Sequence, residues 1–186
     1  MSKADSARLT FEELNPDVEV ITYKERLTSK NIMDVIKDYQ IVVDGSDNFP
    51  TRYLINDACV LLRKPLVSGA ILRFEGQVTT IIPTDGPCYR CLFEVPPPRG
   101  LVPSCAEAGV LGVLPGVIGT IQATEVLKLI LGKGELLNGK LLIYSALKMG
   151  FSKMKIRKNP NCPVCGDSPT IKELIDYDDL CEVRPY

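Results

Sequence analysis

The sequence predicts an α/β protein built on a doubly wound, mostly parallel sheet. Three observations predict it. The chain has 186 residues, 45% of them hydrophobic, which suits one domain with a real core. Short β-branched runs alternate with stretches of helical period through its first half. A proline-rich stretch, a long helical pattern and two further strand patterns then follow.

In chain order, Ala4, Ala7, Phe11 and Leu14 recur at helical spacing, and Asn15-Pro16 ends that helix. Residues 18–23 alternate and predict a strand. Thr28 or Ser29 is placed to cap a helix carrying Ile32, Val35 and Ile36. Residues 39–43 have the pattern of a short buried strand. A turn from Asp44 to Asn48 leads into a helix over residues 49–63. Strands are predicted from Pro65 to Val67 and over residues 76–82. Pro96, Pro97, Pro98 and Pro103 exclude helix and central strand from residues 92–103, which predicts an exposed loop. Residues 114–131 return to helical period and end at Gly132. Residues 140–145 and 151–156 read as strands, and Ile171, Leu174 and Ile175 in the acidic tail suit a short helix.

The formal net charge of −1 gives no basis for nucleic-acid or membrane-surface binding, and neither partner is expected. No apolar run reaches the roughly 18 residues of a membrane span. The first residues hold no apolar signal core, so a cytoplasmic protein is expected. Seven cysteines and no histidine shape the chemistry. Without export, metal ligation or thiol chemistry is favoured over a disulfide framework. Any zinc must be held by thiolates, with or without carboxylates.

The strongest motif is Cys88-Tyr89-Arg90-Cys91 together with Cys162-Pro163-Val164-Cys165. Each pair can place two sulfurs on one metal, and two pairs make the closed Cys₄ set of a structural zinc site. Such a site has no open coordination position, so its role is structural. Seventy residues separate the pairs, so the metal would staple the end of the chain to its middle. Two unrelated thiol pairs are the alternative.

The second motif is Asp44-Gly45-Ser46-Asp47-Asn48-Phe49-Pro50-Thr51-Arg52. It lies just past a predicted central strand, where ligands of open α/β sheets bind. Carboxylates there can hold magnesium on phosphate oxygens, and Arg52, one helical turn after Asn48, can contact phosphate. Plain helix capping by Ser46 or Asp47 explains the same residues.

Cys105 follows the proline-rich loop outside both pairs. It is a candidate nucleophile, to be activated by a helix N-terminus or a cation because no histidine exists. A small buried hydrophobe is the alternative. Cys59 falls on the apolar side of a helix and is expected in the core, whereas Cys181 is open. Gly109, Gly112, Gly116 and Gly119 match no phosphate-loop fingerprint and are expected to serve close packing into the following helix.

Together these stretches resemble the HesA/MoeB/ThiF family, the bacterial relatives of ubiquitin-activating enzymes. The matching segments are residues 44–52, the P-L-V-S-G-A-I-L-R-F-E-G-Q run from Pro65, and residues 87–91, 104–109, 116–122 and 159–166. The resemblance implies a Rossmann-like fold lacking its N-terminal nucleotide-binding unit, with a Cys₄ zinc site. A strand, a glycine-rich loop, a ribose-binding acid and a phosphate-binding arginine would precede Met1. It implies that ATP and Mg2+ adenylylate the C-terminal Gly-Gly carboxylate of a ThiS- or MoaD-like β-grasp sulfur carrier, and it suggests a homodimer. Asp47 matches the magnesium and ATP-site aspartate, and Lys3 matches a lysine on the phosphates. Asn48 and Arg52 lie inside the same motif. Cys88, Cys91, Cys162 and Cys165 match the zinc ligands. Cys105 matches a loop cysteine that in some members links covalently to the carrier. Residues 92–104 match a crossover loop over the carrier's tail, and residues 159–186 form the zinc-stapled end. Two other readings stay open: a β-grasp-binding remnant without ATP chemistry, and a C-x-x-C oxidoreductase.

Overall fold

The computed structural model describes residues 1–97 and 108–176. Helix α1 spans Lys3–Leu14, and the Ser2 hydroxyl caps it by accepting from the Asp5 N–H at 3.1 Å. None of its residues is buried. Helix α2, Ile32–Ile36, buries Ile32 and Ile36. Strand β1, Val42–Asp44, leads through the Asp44–Asn48 turn into helix α3, Phe49–Leu61. Strands β2, Leu66–Leu72, and β3, Glu75–Ile81, follow. Helix α4 is a single turn, Tyr89–Leu92, inside the first cysteine pair. Helix α5, Leu114–Leu131, ends at Gly132 as its period predicts, and strands β4, Lys140–Ser145, and β5, Gly150–Lys155, complete the order.

The strands form one sheet in the order β1-β2-β3-β4-β5. The α/β class is as expected, but the mostly parallel sheet needs correction. Among the described strands only β1 and β2 are parallel, joined by the α3 crossover. The β2–β3, β3–β4 and β4–β5 pairs are antiparallel. The physical reason lies between β2 and β3. Arg73 and Phe74 leave room only for a tight reversal, with Arg73 at φ 53°, and a parallel neighbour needs a long crossover.

Helices cover both faces of the sheet. On one face Leu114 and Ile118 of α5 pack on Val67, Val78 and Tyr144. On the other, Ile32 and Ile36 of α2 and Tyr53, Leu54, Ile55, Ala58 and Cys59 of α3 pack with Leu66, Ile81 and the four paired cysteines. Cys59 is in the core, as expected, and burial pushes its thiol up to about 12. Residues 18–23 form no strand, because Val18, Ile21 and Tyr23 stay exposed and, among the described residues, no strand pairs with them. The tail forms no helix over residues 171–176. Ile171 and Leu174 instead lie against the core, and the Asp176 carboxylate accepts from the Ser29 N–H at 2.6 Å and the Ser29 hydroxyl at 2.9 Å.

Helix α5 also corrects the statement on apolar runs. With 18 residues and mean hydropathy 1.3 it is long and apolar enough, by length and composition, to cross a membrane, and 22% of it is buried. Its polar residues explain its place on the sheet. Glu125, 2% exposed, accepts from the Thr80 hydroxyl at 2.6 Å and the Leu137 N–H at 2.8 Å.

Candidate active site and thiolate cluster

The sulfurs of Cys88, Cys91, Cys162 and Cys165 all lie within 4.8 Å of one another. Cys88 and Cys162 approach to 3.6 Å, and Cys91 and Cys165 to 3.4 Å. A tetrahedral metal with bonds of about 2.3 Å to sulfur needs sulfur–sulfur edges of about 3.8 Å, so the four thiols fit a metal ion. None is in a disulfide. Local backbone bonds build the site. The Cys91 N–H donates to the Cys88 carbonyl, the Cys162 N–H to the Asn159 carbonyl, and the Gly166 N–H to the Cys162 carbonyl, each at 3.0 Å. The Asn159 N–H donates to the Cys91 sulfur at 3.4 Å. Gly166 is required there: a side chain would stand 2.4 Å from the Pro160 carbonyl.

Hydrogen bonding within the cluster divides its protons. Cys91 is held well below the ordinary thiol range, chiefly by Cys162, and Cys162 is lowered to about 6, chiefly by Cys165. Cys88 and Cys165 are pushed up, in both cases chiefly by Cys162. The donor set is sulfur only, with Cys88, Cys162 and Cys165 buried and Cys91 half-buried.

The Asp44–Arg52 turn borders an open cleft of about 240 Å³. Gly45, Ser46, Asp47 and Arg52 line one side, Gly69 and Ile71 of β2 the floor, and Pro115, Ile118, Gly119 and Gln122 of α5 the other side. The two acidic residues of the turn part company here. Asp44 is 2% exposed and holds the turn itself, accepting from the Ser46 N–H at 2.8 Å and the Ser68 hydroxyl at 3.3 Å. Asp47 is exposed and lines the cleft. Asn48 caps α3, its side-chain oxygen accepting from the Thr51 N–H at 2.9 Å, and its amide donates to Asp47 at 3.3 Å. Capping therefore falls to Asn48 rather than to Ser46 or Asp47.

Arg52 lines the cleft but is 8% exposed. Its Nε and Nη2 donate to the Ser46 carbonyl at 3.2 and 2.7 Å, which fixes the turn that carries Asp47. Lys3 is exposed in the first turn of α1 and is not among the residues lining this cleft. Cys105, Cys181 and residues 98–104 lie outside the described residues. The expected packing role of the glycines is corrected. A side chain added at Gly112, Gly116 or Gly119 would meet nothing within 4 Å, and Gly119 leaves the cleft wall bare.

Comparison with known proteins places the chain. The family model described as ThiF family matches residues 1–164. The chain belongs to the ThiF family. A sulfur carrier protein adenylyltransferase of Thermus thermophilus is 56% identical over 98% of the chain and 69% of that protein. The SAMP-activating enzyme E1 of Haloferax volcanii is 53% identical over 97% of the chain and 67% of that protein. The crystal structure of E. coli MccB with SeMet MccA matches with a TM-score of 0.74 over 89% of the chain and 50% of MccB, at 17% identity, a likeness of fold.

This ThiF-family chain also contains site residues that its sequence did not reveal. Gln122 donates from Nε2 to the Asp44 carbonyl at 2.8 Å and the Val67 carbonyl at 3.1 Å, tying α5 to the strand ends below the cleft. Gly69 makes room for it, since a side chain there would lie 2.5 Å from Gln122. Arg90, between the two cysteines of the first pair, forms a fork on Asp57 of α3, with both contacts at 2.8 Å. Its centre stands 4.6 Å over the Tyr53 ring. Asn56 accepts from the Tyr89 N–H at 2.9 Å. The available signals were polar residues inside apolar helical patterns: Gln122 in α5, and Asn56-Asp57 in α3.

Proposed function

We propose that the protein uses ATP to adenylylate the C-terminal carboxylate of a small sulfur-carrier protein. The observation that carries this reading is the position of Asp47. It is the exposed carboxylate of the family motif, just past the end of a β-strand, in an open cleft between β2 and α5. The names of the relatives support the same activity, because one is a sulfur carrier protein adenylyltransferase and another a SAMP-activating enzyme E1. In the proposed reaction a carboxylate oxygen of the carrier attacks the α-phosphorus of ATP, and pyrophosphate leaves. The product is an acyl-adenylate, whose good leaving group prepares the acyl carbon for sulfur. Asp47 would hold magnesium, which when bound offsets phosphate charge. The Arg52 bond to Ser46 and the Asn48 cap keep Asp47 in place. Bare glycine walls at Gly45 and Gly119 allow close approach of the substrates.

The thiolate cluster is proposed to hold zinc, because it is all-sulfur, buried and closed. Its role is structural. The exposed apolar residues Val113, Leu127, Ile130 and Leu131 of and beside α5 support a homodimer through that helix. A cytoplasmic location fits the proposed use of ATP.

Incubation with ATP, magnesium and a small carrier ending in Gly-Gly should produce a carrier heavier by one AMP in intact-mass analysis, with release of pyrophosphate. Carrier binding without any adduct would overturn the reading and leave a binding module in its place.

A further inference from the structure

We propose that Gln122 reads the amide N–H of the residue whose carboxylate is adenylylated. The substrate class is then a peptide C-terminus, and a carboxylate without that N–H is discriminated against. This rests on the adenylylation reading above and concerns the same cleft. Gln122 is 6% exposed and borders the Asp47 cleft. Its side-chain amide offers two N–H groups and one acceptor oxygen. Two carbonyls below the cleft fix which end is which. Nε2 donates to the Asp44 carbonyl at 2.8 Å and to the Val67 carbonyl at 3.1 Å, so turning the amide over would set oxygen against oxygen. Both N–H groups are therefore used within the fold. The oxygen, Oε1, takes no hydrogen bond from any described residue. A nearly buried acceptor without a donor is costly, and a ligand N–H that reaches it removes the cost.

The surroundings narrow what can reach it. The amide lies across Gly69, where a side chain would stand 2.5 Å from Oε1 and 2.7 Å from Nε2. One helical turn earlier on α5, Gly119 lines the cleft, and a side chain there would meet nothing within 4 Å. A bare helix turn beside Oε1 suits a chain end that itself carries little or no side chain. The other polar side chains of the cleft have different duties. Arg52 is bound to the Ser46 carbonyl, the Ser46 hydroxyl is enclosed, and Asp47 is assigned to magnesium.

The reaction supplies the donor. Triphosphate and carboxylate oxygens are acceptors only. The N–H of the terminal residue stands on the same α-carbon as the reacting carboxylate. A carboxylate placed for attack beside Asp47 therefore brings this N–H into the cleft that Gln122 borders, and the unused oxygen matches it.

The test alters the substrate and leaves the protein intact. A carrier whose last residue is joined through an ester keeps the carboxylate and loses only that N–H. With this protein, ATP and magnesium, kcat/KM for the AMP adduct should fall roughly 30-fold against the amide carrier, with the ATP KM unchanged. Gln122→Met fills a similar volume without an acceptor, and it should use the two carriers within about twofold of each other. A general loss of stability lowers both rates together and does not move their ratio. Equal use of both carriers by the unsubstituted protein would overturn the proposal, whether or not Gln122→Met folds. A ratio that survives at full size in Gln122→Met would place the reading of the N–H elsewhere and overturn it too. An unchanged ratio with a raised ATP KM in that variant would assign Oε1 to the nucleotide instead. No adduct with either carrier would overturn the adenylylation reading and this proposal with it.

Discussion

Helix α3 touches two regions that are built in opposite ways. At its middle and C-terminal half it supports the four cysteines, three of which are 1–9% exposed and all of which face one another. At its N-terminus, about 13 Å away along the axis from Asp57 to Asn48, it presents Asp47 and Asn48 to an open cleft. Around the cysteines the polar atoms are matched to partners: Asn56 to Tyr89, Asp57 to Arg90, Tyr53 to Phe93. Around Asp47 the neighbours Asp44, Asn48 and Arg52 serve the backbone, and Asp47 faces the cleft. The difference separates a region that maintains the fold from one that remains open for a ligand. Loss of a cysteine should cost stability, whereas loss of Asp47 should cost chemistry.

The largest expected effect lies in the first region. Cys162→Ser removes one of four metal ligands, and metal binding is part of the folding free energy. A loss of roughly 4 kcal/mol, or about 10 °C in Tm, is expected with loss of bound metal. An unchanged Tm in a scanning calorimeter would erase the contrast. Gln122→Ala comes next, because it strands the Asp44 and Val67 carbonyls beneath the cleft. Chemical unfolding should show a loss of about 1–3 kcal/mol. Asn48→Ala removes the α3 cap and should cost about 1 kcal/mol, largely restored by Asn48→Asp.

The smallest effect is at Cys59. Its folded thiol sits at about 12 against an ordinary value of 9.0, so the buried thiol is favoured only in its neutral form. Its stabilising share is complete below pH 9 and is lost as pH rises from 9 through about 12. Alkylation of the native protein at pH 8 should spare Cys59, and rapid labelling there would contradict its burial.

Much of this contrast was legible from local spacing. The C-x-x-C pairs announce a metal site because each chelate is set within four residues. The α1 and α5 boundaries followed from period and end signals at Asn15 and Gly132. Strand direction was not legible, since a run that alternates for a parallel neighbour alternates equally for an antiparallel one. The β2–β3 reversal at Arg73-Phe74 also lacks the Asn-Gly or Asp-Gly signal of a tight hairpin. The Asp57–Arg90 fork joins residues 33 apart, beyond any local pattern. The role of Arg52 was half legible: its place by the cleft followed from helical spacing, but its bond to the Ser46 carbonyl depends on how the turn folds back.

The most direct test of the account is ATP–pyrophosphate exchange, stimulated by a sulfur carrier, in the Asp47→Ala protein. Asp47 is exposed, so its removal should leave the Tm within about 2 °C and the metal content unchanged. The account predicts a fall in exchange of at least about 100-fold. Exchange close to that of the unsubstituted protein would contradict it and move the chemistry away from the Asp47 cleft.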